Sequence, residues 1–581
     1  MIKSKNKQNF KLSYVGIKQD TYSIIYHNMG EYSTVISLVN SVERFGANSQ
    51  AYYDYHDVFT NIIKILGEGY TIQKHDIISK ITFKGKPTDD YLSKKYFEHF
   101  KGRQNNEVKT FLTITKNVTR SNFFQYDYKE FDRFIKNITK IVELFKSNGF
   151  KADTLNDHQL EMFVKRYLAL NFVDDTFTIK NFKVTNNHIE FNNDILKSVS
   201  LVDIDEIDFP GTIKPYTSLN LGYDFPTDLM GFLYDITDCK VIIYHQVIFI
   251  PNQKKAVFQL EKKKKRHTSM PDPANDLAAL DIENVLNLIA RTNELLVDAH
   301  YNVLLFGTPM DVDRALNKME GQLFNFHLVP SNNCYNQLEL YIGSFPGHSY
   351  DIQPYDRFFT TSDPAVSLFY KERSAYSEDS DFKIYFTDRE GNPVSIDTSD
   401  LPMQTGRINN RNKFVLGPSG SGKSFFMNSI AKQYFTQDTE IVIIDTGHSY
   451  SGLCQYVGGK YITYEEDKPI TMNPFLVTES EFNEEKRDFL KSLIALLWKG
   501  NNGTITQLED SLLINLVSSY YANYFSKGSV KELSFNTFYE YSLEQIKVIQ
   551  KEEDIIIDIQ SYAFVLKKFY KGGEYDLILN S

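Results

Sequence analysis

The chain has 581 residues, a net charge of −10 and 24% charged residues. Proteins that grip nucleic acid along their length usually have a basic surface, so this acidic balance argues against strong direct nucleic-acid binding. The three cysteines, Cys239, Cys334 and Cys454, are too few and too widely spaced for a disulfide framework or a zinc site. A reducing, cytoplasmic compartment is therefore expected.

The apolar segments are too short to span a membrane. The best candidate, Val241–Ile250, is interrupted by His245 and Gln246 and is predicted to be a buried strand. The opening residues, MIKSKNKQNFKLSY, contain no apolar stretch of the kind found in signal peptides. We expect no transmembrane segment, so any membrane association would be peripheral or through partners.

In the first part of the chain, the spacing of apolar residues predicts helices at Tyr91–His99 and Tyr128–Ser147. Residues 151–270 are expected to be rich in strands. This region ends in the basic run Glu261–His267, which has two interpretations. It is either a surface for an anionic partner or a solvated loop or hairpin tip.

The next predicted elements are a helix over Asp276–Ala299, a strand over Tyr301–Phe306 and a helix over Pro309–Leu323. This helix–strand–helix order suggests a separate α/β sandwich. The turn-rich stretch Asp388–Pro393 is the expected position of a domain boundary. An α+β region, in one or two lobes, is therefore predicted before residue 390.

The sequence GPSGSGKS, at 417–424, has the pattern G-x-x-x-x-G-K-[ST] of a phosphate-binding loop. It lies between a predicted strand, Lys413–Leu416, and a predicted helix, Ser424–Tyr434. Glycines allow successive backbone N–H groups to converge on phosphate oxygens, and the helix N-terminus adds its positive dipole. The loop therefore predicts ATP and Mg²⁺ as cofactors.

Lys423 and Ser424 are the candidate catalytic residues: Lys423 would neutralise the β- and γ-phosphates, and the Ser424 hydroxyl would ligate Mg²⁺. Pro418 has no N–H group and cannot donate at its own position. The predicted nucleotide contacts are Gly417, Pro418, Ser419, Gly420, Ser421, Gly422, Lys423, Ser424 and Phe425.

A second apolar run, Glu440–Ile444, ends in Asp445 and is predicted to be a buried parallel strand. Asp445 has two interpretations. It is either an anchor of the loop at the strand end, near the nucleotide, or the Walker B ligand of magnesium. The absence of a glutamate directly after Asp445 favours the first. His448 is expected to be a hydrogen-bonded loop residue.

The segment Leu401–Ser424 resembles the TraG-type conjugative-transposon ATPases, which are the conjugation ATPases of type IV secretion systems. The stretches DTGHSY at Asp445–Tyr450 and MNPF at Met472–Phe475 continue the same pattern. Looser matches occur at Tyr53–Phe59 and Tyr96–Arg103. The specific part of the resemblance covers residues 395–475.

The resemblance implies an α/β protein in which an N-terminal α+β docking region precedes a RecA-like P-loop NTPase domain with an all-helical insertion. The expected divisions are two α+β lobes, 1–150 and 151–390, the start of the ATPase domain at 391–475, and the insertion at 476–581. The family acts as a hexamer at the inner-membrane base of the secretion channel. It hydrolyses ATP to energise channel assembly or transfer, with other secretion proteins as partners.

Residues 480–580 have the apolar spacing of helices, as the implied insertion requires. No later strand ending in Asp-Glu follows. The stretch Asp554–Asp558 imitates one, but it is interpreted as a solvated helix end. We therefore expect the ATPase domain to be incomplete at its C-terminus, with Walker B and the trans-acting arginine beyond residue 581, and hydrolysis by this chain alone to be weak or absent.

The alternative to the motor is a non-catalytic, nucleotide-binding scaffold subunit of the same apparatus. A small-molecule kinase would not need about 390 residues before its loop. The membrane-anchored DNA coupling protein of conjugation normally has N-terminal membrane helices, and no transmembrane segment is expected in this sequence. These two enzyme classes are therefore less favoured.

Overall fold

The computed structural model describes residues 12–44, 46, 48–85, 87–118, 127–201, 216–217, 226–270, 272–325, 328, 330–331, 335–374, 377–388, 391–463, 470–527, 532–554 and 556–580. The basic opening residues 1–11, Pro271, Cys334 and part of the turn at Asp388–Pro393 lie outside these ranges. The chain divides into two compact units, 1–413 and 414–581. Each is described by itself.

The described strands all lie in the first unit. They are β1 (Tyr14–Gln19), β2 (Ser23–His27), β3 (Tyr32–Leu38), β4 (Val42–Glu43), β5 (Tyr70–Thr82), β6 (Gln104–Lys116), β7 (Ala152–Thr154), β8 (Lys183–Val184), β9 (Ile189–Phe191), β10 (Asp194–Leu201), β11 (Tyr216–Thr217), β12 (Pro226–Thr227), β13 (Val241–Ile250), β14 (Leu296–Gly307), β15 (Pro330–Ser331), β16 (Phe358–Thr361), β17 (Glu372–Arg373), β18 (Lys383–Thr387) and β19 (Pro393–Asp397).

One large antiparallel sheet organises this unit. Its strand order is β1-β2-β3-β6-β5-β13-β14-β10-β9-β8, and β7, β15 and β16 pair with β3, β10 and β14. The predicted strand Val241–Ile250 is confirmed as β13, and each of its ten residues is buried. Strands from both sides of residue 150 share this sheet. The four-part division at residues 150, 390 and 475 stays a prediction.

The helices of the first unit are α1 (Gln50–Leu66), α2 (Tyr91–Phe100), α3 (Tyr128–Ser147), α4 (Asp157–Ala169), α5 (Gln253–Thr268), α6 (Pro273–Thr292), α7 (Pro309–Asn325), α8 (Gln337–Gly343), α9 (Ser362–Ser367) and α10 (Asp400–Gln404). The predicted helices at 91–99, 128–147 and 309–323 are confirmed as α2, α3 and α7. Residues from α1, α3, α7 and α9 pack in one apolar cluster with the sheet, and residues from α4 and α8 pack in another. Neighbouring residues of β13 alternate between these clusters, so the clusters lie on opposite sheet faces.

The helix predicted over Asp276–Ala299 ends earlier in the structure. Asn293 adopts a left-handed conformation, with φ of 53°, and terminates α6. Leu296 then opens β14 and pairs with Thr361 of β16. The extended pairing of β14 outweighs the helical spacing of Leu295 and Leu296. Because β14 lies inside the large sheet, this region does not form the separate α/β sandwich that the predicted helix–strand–helix order suggested.

The basic run Glu261–His267 lies within α5, so the interpretation as a loop or hairpin tip is wrong. The side chain of Asn252 accepts a hydrogen bond from the Lys255 N–H group and begins this helix. Lysine and arginine have good helix propensity, which allows the helix to continue through the run. Helices α4 and α5 also make residues 151–270 less strand-rich than expected.

The second unit contains helices α11 (Lys423–Phe435), α12 (Ser451–Tyr456), α13 (Glu484–Lys499), α14 (Gln507–Lys527), α15 (Phe535–Glu553), α16 (Ile559–Leu566) and α17 (Asp576–Asn580). The predicted helical character of 480–580 is confirmed. Leu490, Ile494 and Trp498 of α13 belong to an apolar cluster that also contains residues of α14, α15 and α16. Asp554 terminates α15 and Asp558 caps α16, as the interpretation of a helix end implied.

The two strands predicted around the phosphate-binding loop are not formed. Lys413–Leu416 and Glu440–Ile444 have no regular secondary structure. Val442 is 92% exposed and Ile444 is 97% exposed, so this run is not buried. A strand requires hydrogen-bonding neighbours, and the described residues of 414–581 contain no paired strand. The structure thus combines a large antiparallel sheet with helices, and a parallel RecA-like sheet stays a proposal.

Candidate functional site

The loop Gly417–Ser424 turns sharply into α11. The Ser421 N–H group donates to the Pro418 carbonyl oxygen at 3.3 Å and closes the turn. Gly420 and Gly422 have φ values of 78° and 89°. L-residues with a side chain rarely adopt these left-handed values, so this loop favours glycine at both positions.

Gly417 is required for a different reason, because the loop folds closely over it. A Cβ atom at position 417 would lie 2.5 Å from the Ser421 Oγ. This separation is shorter than a van der Waals contact. The missing side chain of Gly417 therefore lets Ser421 approach the backbone at the loop entrance.

The N-terminus of α11 has the properties of an anion site. Gly422 precedes the helix and provides no side-chain cap, and no acidic residue lies in the first turn. The first helical hydrogen bond joins the Phe426 N–H group to the Gly422 carbonyl oxygen at 2.9 Å. In the described part of the chain, the N–H groups of Lys423, Ser424 and Phe425 therefore have no backbone acceptor. Such groups, together with the helix dipole, favour a bound phosphate.

Lys423 turns back over the loop. Its Nζ atom donates to the carbonyl oxygens of Gly417 at 2.7 Å and Pro418 at 2.9 Å. The ammonium group is thus held at the mouth of the loop by two neutral acceptors. A phosphate oxygen would be a stronger acceptor because hydrogen bonds between charged groups are stronger than those to neutral carbonyls.

The second predicted segment lies beside the first turn of α11. The Asn428 Nδ2 atom donates to the carbonyl oxygens of Ser424 at 2.8 Å and Ser449 at 3.1 Å. Asp445 accepts a hydrogen bond from the Ser449 N–H group through its Oδ2 atom, at 2.7 Å. Asp445 therefore anchors this loop, as its first interpretation expected, and Asn428 connects the loop to the helix that begins with Lys423.

His448 also has a structural contact, since its Nδ1 atom lies 2.5 Å from the Tyr461 hydroxyl oxygen. Its φ of 55° places it at the turn of the loop. Asn428 was missed by sequence reasoning. The available signal was its position four residues after Ser424, which places both residues on the same face of a helix.

The predicted site residues differ in how closely the structure connects them. Gly417, Pro418, Ser421, Gly422 and Lys423 are joined by the contacts described above. Phe425 lies in the first turn of α11 and is 82% exposed. The residue assignments for nucleotide and magnesium stay predictions.

These residues fit ATP and Mg²⁺ by the chemistry of their donors. The uncapped helix N-terminus and Lys423 would hold the β- and γ-phosphates, and Ser424 has a hydroxyl group at the position that ligates magnesium in this motif. Bound Mg²⁺ would neutralise phosphate charge. Among the residues that the structure describes, no cluster of His, Cys, Asp or Glu could hold a metal by itself. No helix within the described ranges is long and apolar enough to cross a membrane.

The loop and the helix that follows it have the backbone geometry of a P-loop. Residues 383–581 match the family model of the TraG P-loop domain. This match confirms the resemblance to TraG-type conjugation ATPases and supports an NTPase.

Two curated relatives agree with this assignment. The type IV secretion system protein virB4 of Bartonella quintana (strain Toulouse) is 28% identical over 108 residues, which cover 19% of this chain and 14% of the relative. The protein of the same name from Bartonella henselae (strain ATCC 49882) is 29% identical over 98 residues, 17% of this chain and 12% of the relative. The aligned part thus spans about a seventh of either relative's length, or less.

Proposed function

We propose that this chain is an ATP-binding motor subunit of a conjugative type IV secretion apparatus. It binds Mg-ATP at Gly417–Ser424 and hydrolyses it to energise channel assembly or transfer. The observation that carries the proposal is the uncapped N-terminus of α11, with Lys423 held over it, inside a segment that matches the TraG P-loop domain. In this proposal residues 391–475 begin a RecA-like domain and 476–581 form its helical insertion.

The rest of the proposed function concerns assembly. The chain would act as a homo-oligomer, a hexamer by family resemblance, in the cytoplasm at the inner membrane. The first unit would contact other secretion proteins, which the virB4 relatives support because they are named as type IV secretion proteins. Direct nucleic-acid binding would be weak, in line with the net charge of −10.

The second candidate is a scaffold subunit that binds nucleotide without hydrolysing it. The contacts of Asp445 favour this alternative, because its carboxylate accepts from the Ser449 backbone and acts as a loop anchor. Both candidates require nucleotide at the same loop and differ in turnover.

The deciding experiment measures Mg-ATP binding and phosphate release by the full-length product of the gene and by its Lys423→Ala and Lys460→Ala variants. Lys460 is an exposed lysine of the same unit and serves as the matched control. Nucleotide at 100 times its dissociation constant should stabilise the protein by about 2.7 kcal/mol. Binding is therefore visible in thermal unfolding even when turnover is slow.

The motor is supported if the unmodified protein and Lys460→Ala release phosphate, while Lys423→Ala neither binds Mg-ATP nor releases phosphate. Binding without phosphate release, abolished in Lys423→Ala, would favour the scaffold. If nucleotide stabilised none of the three proteins, or stabilised Lys423→Ala equally, the loop would not be the phosphate site and both candidates would fail.

A further inference from the structure

Helices α5 and α6 form an antiparallel hairpin between β13 and β14 in chain order. The Gln253 side chain fixes its base, since its Nε2 donates to the Leu296 carbonyl oxygen at 3.0 Å and its Oε1 accepts from the Leu296 N–H group at 2.9 Å. Near the turn, the His267 Nδ1 lies 2.7 Å from the Asn275 Oδ1. Contacts at both ends therefore define the hairpin.

The hairpin presents most of its surface to solvent. Ala256 is the buried residue of α5, and Ile282 is the buried residue of α6. A helix that packs into a domain buries a broad apolar stripe along its length. These two helices instead bury one residue each, so among the described residues the outer face of α5 is exposed.

The outer face of α5 is strongly cationic. The exposed charged residues of this face are Lys254, Lys255, Glu261, Lys262, Lys265 and Arg266. Lys263 is also exposed, but it lies seven residues after the buried Ala256 and so on the other side of the helix. Lys264 points instead toward α6, where its Nζ lies 3.1 Å from Glu283. Five exposed cations against one exposed anion make this face complementary to a dense anionic surface.

Apolar side chains lie among these cations. Phe258 is 64% exposed, and its spacing of four from Lys262 and seven from Lys265 places the three on one face. Met270, at the turn of the hairpin, is also 64% exposed. Large exposed apolar residues surrounded by lysines are the composition of helices that lie on anionic membranes.

We propose that the outer face of α5, with the turn at Met270, docks on an anionic lipid surface. The lysines would neutralise headgroups while Phe258 and Met270 enter the interface between headgroups and acyl chains. A nucleic-acid duplex would use the cations but leave Phe258 and Met270 in water. A lipid surface uses both features.

This inference rests on the peripheral membrane association in the proposed function and assigns it to a surface. The docking surface lies in the first unit and the phosphate-binding loop lies in the second. Lipid binding should require no nucleotide and should be unchanged in Lys423→Ala. Failure of the lipid proposal is thus distinguishable from failure of the ATPase proposal.

The test is co-sedimentation of the full chain with vesicles of phosphatidylcholine alone and of equal parts phosphatidylcholine and phosphatidylglycerol. The principal variant carries Lys255→Gln, Lys262→Gln and Lys265→Gln. Glutamine has a helix propensity close to that of lysine, so α5 is preserved. Circular dichroism and thermal unfolding check the fold of each variant.

The matched control removes three exposed lysines from α3: Lys129→Gln, Lys140→Gln and Lys146→Gln. Both triple variants change the net charge by the same amount. A second variant, Phe258→Ala, removes apolar insertion without changing charge.

We expect binding to the anionic vesicles only, with strong weakening at high salt. Each neutralised α5 lysine should weaken binding roughly fivefold, and the three together about a hundredfold. Phe258→Ala should also weaken it, and the α3 control should bind like the unmodified chain.

Three results would overturn the proposal: no binding to anionic vesicles, equal binding to both vesicle types, or equal losses in the α5 and α3 variants. Unchanged binding by Phe258→Ala would also contradict docking through this face. An acidic protein partner or a nucleic acid would then be the better occupant.

Discussion

The Lys423 ammonium group donates to the carbonyl oxygen of Gly417, 2.7 Å away and six residues earlier in the chain. The contact closes the phosphate-binding loop through the Lys423 side chain, which in this motif binds the β- and γ-phosphates. The loop is thus held in shape by the same cation that would engage the ligand.

The first prediction separates binding from folding at this lysine. Lys423→Ala should abolish stabilisation by Mg-ATP, because the cation that balances the phosphates is lost. It should change the stability of the nucleotide-free protein by no more than about 1 kcal/mol, because the two lost hydrogen bonds lie in an accessible loop. Thermal unfolding with and without Mg-ATP measures both effects. A large loss of stability without nucleotide would instead make Lys423 a structural residue.

The second prediction concerns Asn428, which donates to the carbonyl oxygens of Ser424 and Ser449. Asn428→Ala should release the loop anchored by Asp445, so the Ser449 N–H group should exchange with solvent faster. Asn428→Asp should have a larger effect, since a carboxylate would face two carbonyl oxygens. Hydrogen exchange measured by mass spectrometry tests both variants. Unchanged exchange at residues 445–450 in both would show that Asn428 does not hold this loop.

The third prediction is a pH dependence from buried histidines of the first unit. Burial lowers the pKa of His75, His300 and His348 to about 4. Burial and the nearby His348 lower the pKa of His27 to about 3. An unfolded histidine has a pKa of about 6.5, so the unfolded chain binds more protons below that pH.

The contribution of these histidines to stability is therefore complete above about pH 6.5 and is lost as the pH falls toward the folded pKa values. Each should contribute a slope of about 1.4 kcal/mol per pH unit between about 6.5 and 4. Urea unfolding at several pH values measures the slope. His300→Gln should reduce it, and the exposed control His158→Gln should leave it unchanged. A slope that His300→Gln does not alter would assign the pH dependence to other groups.

The fourth prediction concerns the buried pair Lys74 and Asp76, whose Nζ and Oδ2 atoms lie 2.5 Å apart with both side chains fully buried. Lys74 also donates to the Tyr370 carbonyl oxygen at 2.7 Å. Lys74→Met should destabilise the first unit by about 3–5 kcal/mol, because it leaves the buried Asp76 carboxyl group without its partner.

The double variant Lys74→Met/Asp76→Asn should cost less than the sum of the single changes, which a double-mutant cycle measures by urea unfolding. The exposed pair Lys136 and Asp132, 2.7 Å apart on α3, is the control. Lys136→Met should cost about 0.5 kcal/mol or less. Similar costs for Lys74→Met and Lys136→Met would contradict a dominant effect of burial.

The features that depend on nearby residues were predictable from the sequence. The glycines and Lys423 of the loop follow from a fixed spacing, because their roles are set within eight residues of backbone. Helix α3 was predicted with its observed bounds because its apolar stripe is strongly periodic. The buried strand β13 was predicted from its mostly apolar composition over a length too short to span a membrane.

Long-range pairing could not be predicted in the same way. Leu296 continues the helical spacing of α6 but begins β14, because its partner Thr361 lies 65 residues away in the chain. The link from Asn428 to Ser449 likewise joins residues 21 positions apart. In each case the residue that determines the structure is too far away in the chain for a local sequence pattern to reveal it.

The sequence by itself thus determined the phosphate-binding loop, the helix that follows it and the family resemblance, since these rest on local backbone freedom and residue chemistry. Only the tertiary structure decided which apolar runs became strands. Val241–Ile250 is paired on both sides in the large sheet, whereas Glu440–Ile444 has no pairing partner in the described residues. The two runs look alike in sequence and differ in structure because a strand is stabilised by hydrogen bonds and packing from its neighbours.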